Sequence, residues 1–378
     1  MSPRVTVALL HTSPETVLED YARLMELAGL RIHLDPSATT LLNSCLGWHF
    51  PYPSANTTPW QLEGALRALR AAGFGELIFV DHTHMRIGAF KDIDLNGYMP
   101  IVRSYGISVR STFNPQDMRW IHYIPRARML VLDRISNQHI RVPDVWVGKN
   151  VVHLPTMRSQ RAMPTLGAMW NAADGLLGGR WHDGGAWMHE VLVDALAIQK
   201  EIHAGIFAVM DGTTVGNGSR SRTPAPEVKS VILASADLVA LDAVAARLMG
   251  FDPLRDLKYI RLAHERGLGV GDVRAITLVG DAELASANWH FRIGPDVRSP
   301  AHAVGLSLSS LVQQRVARTP LASLWRFGSE IYRDYYRWPA RSRQVFESWL
   351  RGTRWGRLFQ EYQKRGYQRI MSDEAPRS

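Results

Sequence analysis

The sequence predicts an α/β protein: two α/β units with parallel or mixed sheets, followed by a basic C-terminal helical extension. Three observations carry this. Short apolar runs alternate with helical patterns through about residue 298. Several runs, such as Leu77–Val80 and Val151–Leu154, stay apolar at nearly every position, as strands covered by helices on both faces do. From about Ser299 the strand signals stop, and basic, aromatic helical segments take over. The expected divisions are 1–147 for the first unit, 148–298 for the second and 299–378 for the extension, which suits a chain of 378 residues.

In chain order, Arg4–His11 is β-prone and reads as the first strand. Pro14–Gly29 places Val17, Tyr21, Leu24, Met25 and Ala28 at helical spacing and ends at a glycine. Arg31–Leu34 reads as a second short strand. The proline-rich stretch Asn43–Trp60 is too long for a simple connector and reads as a functional loop or lid. It leads into a helix that Thr58 caps, with Pro59 at the first position and Gln61 as the reciprocal partner. That helix start could receive an anion or merely be capped. Leu77–Val80 is a buried strand, Tyr98–Tyr105 a helix and Ser108–Arg110 a strand. Met129–Leu132 and Val145–Val147 read as further strands, and Arg141-Val-Pro-Asp as a turn or edge segment.

The second unit begins with Lys149–Leu154. Met188–Ile202 is an amphipathic helix, Ile206–Met210 a strand, and Asp211–Gly218 a glycine-bearing loop. Val231–Ala234 is a strand, Asp237–Met249 a helix capped by Asp237, Leu257–Gly267 a helix and Ala275–Val279 the last strand. In the extension, Leu306–Val316, Leu321–Tyr335, Ser342–Trp349 and Trp355–Tyr367 read as helices.

Composition excludes several functions. The net charge is +9, but residues 301–378 hold 14 Lys/Arg against 6 Asp/Glu, leaving 30 against 29 in the first 300 residues. The basicity belongs to the tail, so no nucleic-acid partner is expected of the body. The tail's aromatic and arginine residues suit either a helical cap on the body or contact of 299–378 with a membrane surface. Cys45 is the sole cysteine, which excludes internal disulfides and cysteine-ligated iron–sulfur clusters. No membrane-length apolar run and no signal-peptide pattern occurs, so a cytoplasmic location is expected. No Walker loop and no Gly-x-Gly-x-x-Gly after a strand is present, so nucleotide binding is not expected. The identity of any cofactor stays open.

Candidate residues cluster where strands end, the edge at which ligands bind in α/β sheets. Arg158 could clamp a carboxylate or phosphate. Thr156, Gln160, Asn171 and Thr58 add polar groups, and Trp48 and Trp170 add aromatic walls. His153, Asp211 and His189 are the acid/base candidates. Against these stand plain readings: a satisfied core histidine, an Asp-Gly turn, a local cap. Asp81, His82 and His84, directly after a strand, form an alternative metal set.

The chain resembles the uncharacterised family known as domain of unknown function 362. The resemblance is strongest from Gly148-Lys-Asn-Val-Val-His-Leu-Pro-Thr-Met to Gly167-Ala-Met and through His189-Glu190. It continues in Ile206-Phe-Ala-Val-Met-Asp-Gly212, Val231–Asp237, Leu241-Asp-Ala-Val-Ala-Ala and Leu248-Met-Gly-Phe-Asp-Pro253. It implies an α/β fold without an assigned general activity. Some relatives carry ferredoxin-type cysteine motifs, which are absent from this chain. Where relatives show Lys-Thr-His after Thr-Met, this chain has Arg158-Ser159-Gln160. Where they show Lys-Asn after Gly-Ala-Met, it has Trp170-Asn171.

The expectation is therefore an enzyme, of specialised metabolism, that binds a small anionic or planar metabolite between its units and works by acid/base chemistry. The alternatives are a non-catalytic scaffold, held at a membrane by its tail, and a metal enzyme built on Asp81, His82 and His84.

Overall fold

The computed structural model describes residues 5–47, 50–81, 95–112, 114–136, 139–160, 163–177, 187–218, 223–291 and 342–373, with side chains to Lys364. Eleven strands are present among these residues. They are β1 (Thr6–His11), β2 (Thr40–Ser44), β3 (Leu77–Asp81), β4 (Ser108–Ser111), β5 (Trp120–His122), β6 (Arg141–Pro143), β7 (Asn150–Leu154), β8 (Thr156–Arg158), β9 (Gly205–Asn217), β10 (Ala225–Ser235) and β11 (Thr277–Gly280). The helices are α1 (Val17–Leu27), α2 (Leu30–His33), α3 (Pro59–Ala71), α4 (Tyr98–Ser104), α5 (Leu132–Ile135) and α6 (Ala168–Leu177). They continue with α7 (Met188–Ile202), α8 (Leu238–Met249), α9 (Pro253–Asp256), α10 (Lys258–Glu265), α11 (Arg343–Gly352) and α12 (Arg354–Asp373).

The α/β class holds, with one refinement. Both halves of the chain share a single nine-stranded sheet in the order β11-β1-β10-β9-β7-β2-β3-β4, with β8 also paired to β9. Strands β2 and β7, from either side of residue 148, are parallel neighbours, with Asn43 opposite His153. Only β10 runs antiparallel, to β1 on one side and β9 on the other. A separate two-stranded ribbon joins β5 and β6.

Side chains alternate across the sheet, and each face has its own core. On one face Leu41, Val151, Met210 and Leu233 pack with α6, α7, α8 and α10. On the other, Leu42, Val152, Val209 and Ile232 pack with α1, α3, α4 and the C-terminal helices. The chain therefore leaves β2 through α3 on one face and leaves β7 through α6 and α7 on the opposite face. From β2 it proceeds to β3 and β4; from β7 it proceeds to β9, the other way. The sheet has its topological switch point between β2 and β7.

Several expectations change. Arg31–Leu34 is the helical turn α2, because buried Leu30 and Leu34 are four residues apart while Ile32 is 84% exposed. Met129–Leu132 is not a strand: the Asp194 carboxylate accepts the amides of Leu130, Val131 and Leu132 and starts α5. Val145–Val147 is part of a 3-10 turn that buries Trp146. Asp211–Gly218 is not a loop, since β9 runs on to Asn217 between β8 and β10. Strand β2, unrecognised as such from the sequence, lies at the sheet's centre.

The Asn43–Trp60 stretch is a pinned structure rather than an open lid over its described part. Tyr52, Ser54, Ala55, Asn56 and Thr57 are buried. Thr57 Oγ1 donates to Leu154 O at 2.6 Å and accepts from Cys45 N at 2.8 Å, tying this stretch to the ends of β7 and β2. The expected capping box forms at α3: Gln61 N donates to Thr58 Oγ1, and Thr58 N to Gln61 Oε1.

The tail helices within the described residues form the expected cap. Phe346, Trp349, Trp355, Phe359 and Tyr362 enter the core beside Trp60, whose ring lies 5.2 Å from that of Trp355. Their polar tips are satisfied: Trp349 Nε1 donates to Thr214 Oγ1, Trp355 Nε1 to Ser230 Oγ and Tyr362 Oη to Glu63 Oε2. Ser230 sits at a β-bulge in β10, with a φ of 54°. The tail segments 306–316 and 321–335 lie outside the described residues. Among the described residues, no helix is long and apolar enough to cross a membrane.

Candidate functional site

The carboxyl ends of β2 and β7 bring Ser44, Cys45, Leu154, Thr156 and Arg158 together. Helix α6 adds Trp170 and Asn171, each one turn before Asp174. Asn171 is the link: its Nδ2 donates to Ser44 O at 3.0 Å, while its backbone carbonyl accepts from Asn43 Nδ2 at 3.0 Å.

Arg158 is 3% exposed. Its Nη2 lies 3.8 Å from Cys45 Sγ, and its backbone carbonyl accepts from Leu166 N at 2.8 Å, which sets α6 beside it. Gly47 packs so closely that a Cβ there would meet Arg158 Nη1. Burial pushes the Cys45 thiol up; the Arg158 guanidinium pulls it the other way and the Asp174 carboxylate adds to the rise. Thr156 Oγ1 donates to Asn56 O at 2.7 Å. Gln160 is buried, its amide bonded to Met163 O. Trp170 packs into the core on the α6 side of the sheet.

The acid/base candidates are placed differently from expectation. His153 is fully buried on the α6 side, and both ring nitrogens are engaged. Asn43 Nδ2 donates to Nδ1 at 2.8 Å, and Nε2 meets Gln199 Oε1 at 2.9 Å. Burial lowers its pKa to about 4, against hydrogen bonds that pull upward. It is a neutral imidazole joining β2, β7 and α7, not a base facing a ligand.

Asp211 is also fully buried, on the opposite face. It is opposite Thr156 in the register of neighbouring strands in the one sheet. Its Oδ2 accepts from Tyr21 Oη (2.9 Å), Thr58 Oγ1 (2.7 Å) and Trp60 Nε1 (3.0 Å). Its Oδ1 accepts from Thr213 N (2.8 Å) and Thr213 Oγ1 (2.7 Å). Burial raises its pKa, and the hydrogen bonds from Thr58, Thr213 and Tyr21 oppose the rise. Thr58 is thereby committed to Asp211 and Gln61 rather than open to a ligand.

His189 stands apart from both, stacked on Tyr259 at 6.2 Å. Burial lowers its pKa, with Lys258 and Arg261 adding and Glu190 opposing. Glu190 pairs with Lys258 at 2.6 Å. Asp81 is buried at the end of β3; Trp48, His82 and His84 lie outside the described residues. Among the described residues no group of three or more His, Cys, Asp or Glu could hold a metal ion.

Sequence reasoning missed Asn43, Cys45, Asp174 and Asp242. Asp242 was legible as a lone acid inside the apolar run Leu238–Met249. Buried, it accepts from Ala168 N at 2.6 Å and Met169 N at 3.1 Å, capping α6, with Tyr259 Oη at 3.4 Å. Burial raises its pKa to about 7 against those same hydrogen bonds. Gly167 is required here, because any Cβ would run into Asp242 Oδ1.

None of the curated proteins matches the chain. Among solved structures, a Thermotoga maritima protein from a structural-genomics programme is similar at 11% identity and a TM-score of 0.34. The similarity covers 57% of this chain and 54% of that one, so the chain spans about half of that protein's length. The profile described as Domain of unknown function (DUF362) matches residues 43–247. That span opens at Asn43 and closes within α8, taking in the carboxyl end of β2 and all of β7, and on this match the chain belongs to the DUF362 family.

Proposed function

We propose that the chain binds a small anionic metabolite at the carboxyl ends of β2 and β7. Arg158 meets the anion, and the Trp170, Asn171 and Asp174 face of α6 bounds it. The observation that carries this reading is the buried arginine at the switch point. Open α/β sheets bind ligands at that position. The planar fork of the Arg158 guanidinium suits two oxygens of one anion.

The reading retains an enzyme of small-molecule metabolism but moves its acid/base chemistry. His153 and Asp211 hold the scaffold through the chain's own groups, and Asp81 and Asp174 are the carboxyls of the same edge offered for proton transfer. Thermal unfolding against a panel of small organic anions tests the reading, with Arg158→Gln as the control. At least one anion is expected to raise the wild-type midpoint by a few degrees, on the order of 1–3 kcal/mol near saturation, and to leave the folded variant unmoved. Equal responses of the two proteins, or none from either, would reject it.

A further inference from the structure

We infer that the strip laid along α7, from Arg119 to Arg134, is a docking surface for an anionic lipid bilayer. It uses none of the residues of the proposed ligand edge.

Carboxylates of α7 fix the strip in place. Near the end of the helix, Glu201 accepts from Tyr123 Oη at 2.7 Å, Arg126 N at 2.9 Å and Ala127 N at 2.7 Å. Midway, Asp194 takes the amides of Leu130, Val131 and Leu132. Just before the helix starts, the Arg134 guanidinium lies over the exposed Trp187 ring, 5.9 Å from its centroid. The segment therefore runs antiparallel to α7 for the helix's whole length, roughly 20 Å.

These bonds decide the charge of the surface. Residues 119–141 hold five arginines and one acid, Asp133; the rest of the first 300 residues hold 25 Lys/Arg against 28 Asp/Glu. A body near balance overall thus concentrates positive charge here. Backbone amides occupy Asp194 and engage Glu201, so the guanidinium groups are left to water, and all five arginines are exposed. Arg126 still reaches Glu201 at 3.8 Å. Exposed Arg266 donates to Arg128 O and extends the strip, with Glu265 beside it.

Apolar side chains stand among these cations: Ile124 is 78% exposed and Ile121 40%. A single exposed isoleucine is ordinary. Two of them between Arg119 and Arg126 join the features that an interfacial site needs, cations for lipid phosphates and apolar tips for the acyl boundary. A nucleic acid would gain from the cations and nothing from the isoleucines.

Flotation of the full chain with vesicles tests this, using phosphatidylcholine alone and phosphatidylcholine mixed with phosphatidylserine. Binding is expected to the mixed vesicles only, and to weaken in high salt. The double variant Arg126→Gln, Arg128→Gln is expected to lower partitioning about ten-fold or more, and Ile124→Ser several-fold. Arg357→Gln with Lys364→Gln, on the exposed side of α12, is expected to bind like the wild type. Thermal melts check that each variant folds, and Arg119→Gln with Arg141→Gln replaces the first pair should that pair not fold. No binding to mixed vesicles overturns the inference. So does binding that survives loss of the strip arginines, or that is lost equally with the α12 pair. An oligonucleotide that binds more tightly than the mixed vesicles, and displaces them, overturns it in favour of a nucleic-acid surface.

Discussion

His153 and Asp211 show how one buried polar side chain can be mistaken for another kind. Each sits at a strand position where ligands are met, yet each is closed by bonds to its own chain. The imidazole stays neutral because burial disfavours its charged form, and this makes the fold acid-sensitive. In the unfolded chain the ring takes up a proton below about pH 6.5; in the fold it does so only near 4. The stability it contributes is therefore complete above the unfolded value and is lost as pH falls through the folded one. The loss attributable to this ring is about 3 kcal/mol. Urea unfolding at pH 7 and at pH 4 should show a fall that His153→Gln reduces. Burial also lowers the His203 pKa to about 3, which adds to the same slope.

For Asp211 the prediction is a loss of stability. Asp211→Asn turns an amide N–H₂ toward a ring of donors and should cost roughly 2–4 kcal/mol, since buried donors are left unmatched. A variant that binds ligand poorly while unfolding like the wild type would instead restore Asp211 to the acid/base role.

Among the elements, α6 and the tail helices decide the most. Helix α6 is held at its start by Asp242 and along its face by Asn43 and Asn171, so its register on the sheet is set twice. Gly167→Ala would drive a methyl group into the Asp242 carboxyl. The expected loss is about 1–3 kcal/mol of stability, read by chemical denaturation, together with weaker anion binding. The aromatic tail is an equally integral element. Trp355→Ala should cost about 3–5 kcal/mol, as large buried aromatics do, and loosen Trp60 from Asp211.

How much of this was legible depended on range. Local signals read well: Thr58-Pro-Trp-Gln as a capped start, Asp237 as a cap, the apolar runs of β3 and β7. Thr40–Ser44 escaped because its flanks look like loop and its partners are 37 and 110 residues away. Arg31–Leu34 was misread because Arg-Ile-His-Leu alternates as a half-buried strand does; burial of Leu30 and Leu34 together, with Ile32 exposed, decides it. At the site, Arg158 could be singled out by its position after a strand. The saturation of Asp211 could not, because its donors come from Tyr21, Thr58, Trp60 and Thr213, three of them more than 150 residues away.

At the scale of the whole molecule, the single sheet and the two-faced core make the body one unit through which the halves interleave. Urea unfolding should accordingly be one transition by intrinsic tryptophan fluorescence and by circular dichroism. Two separated transitions would mark the halves as independent. A chain ending at residue 341 removes the aromatic cap and uncovers Trp60 and Tyr52. It should bind a hydrophobic dye strongly and unfold at a markedly lower temperature.

The pairing of β1 with β10 and β11 has a consequence for the order of biosynthesis. Thr6–His11 leaves the ribosome before the other described strands, yet its neighbours are Ala225–Ser235 and Thr277–Gly280. Synthesis runs at about 5–20 residues per second, so an apolar segment must wait on the order of ten seconds or more, unmatched, while the middle of the protein emerges. Ribosome-stalled chains ended before residue 225 should keep that segment open to protease and to holding chaperones, and chains extended past residue 280 should close it.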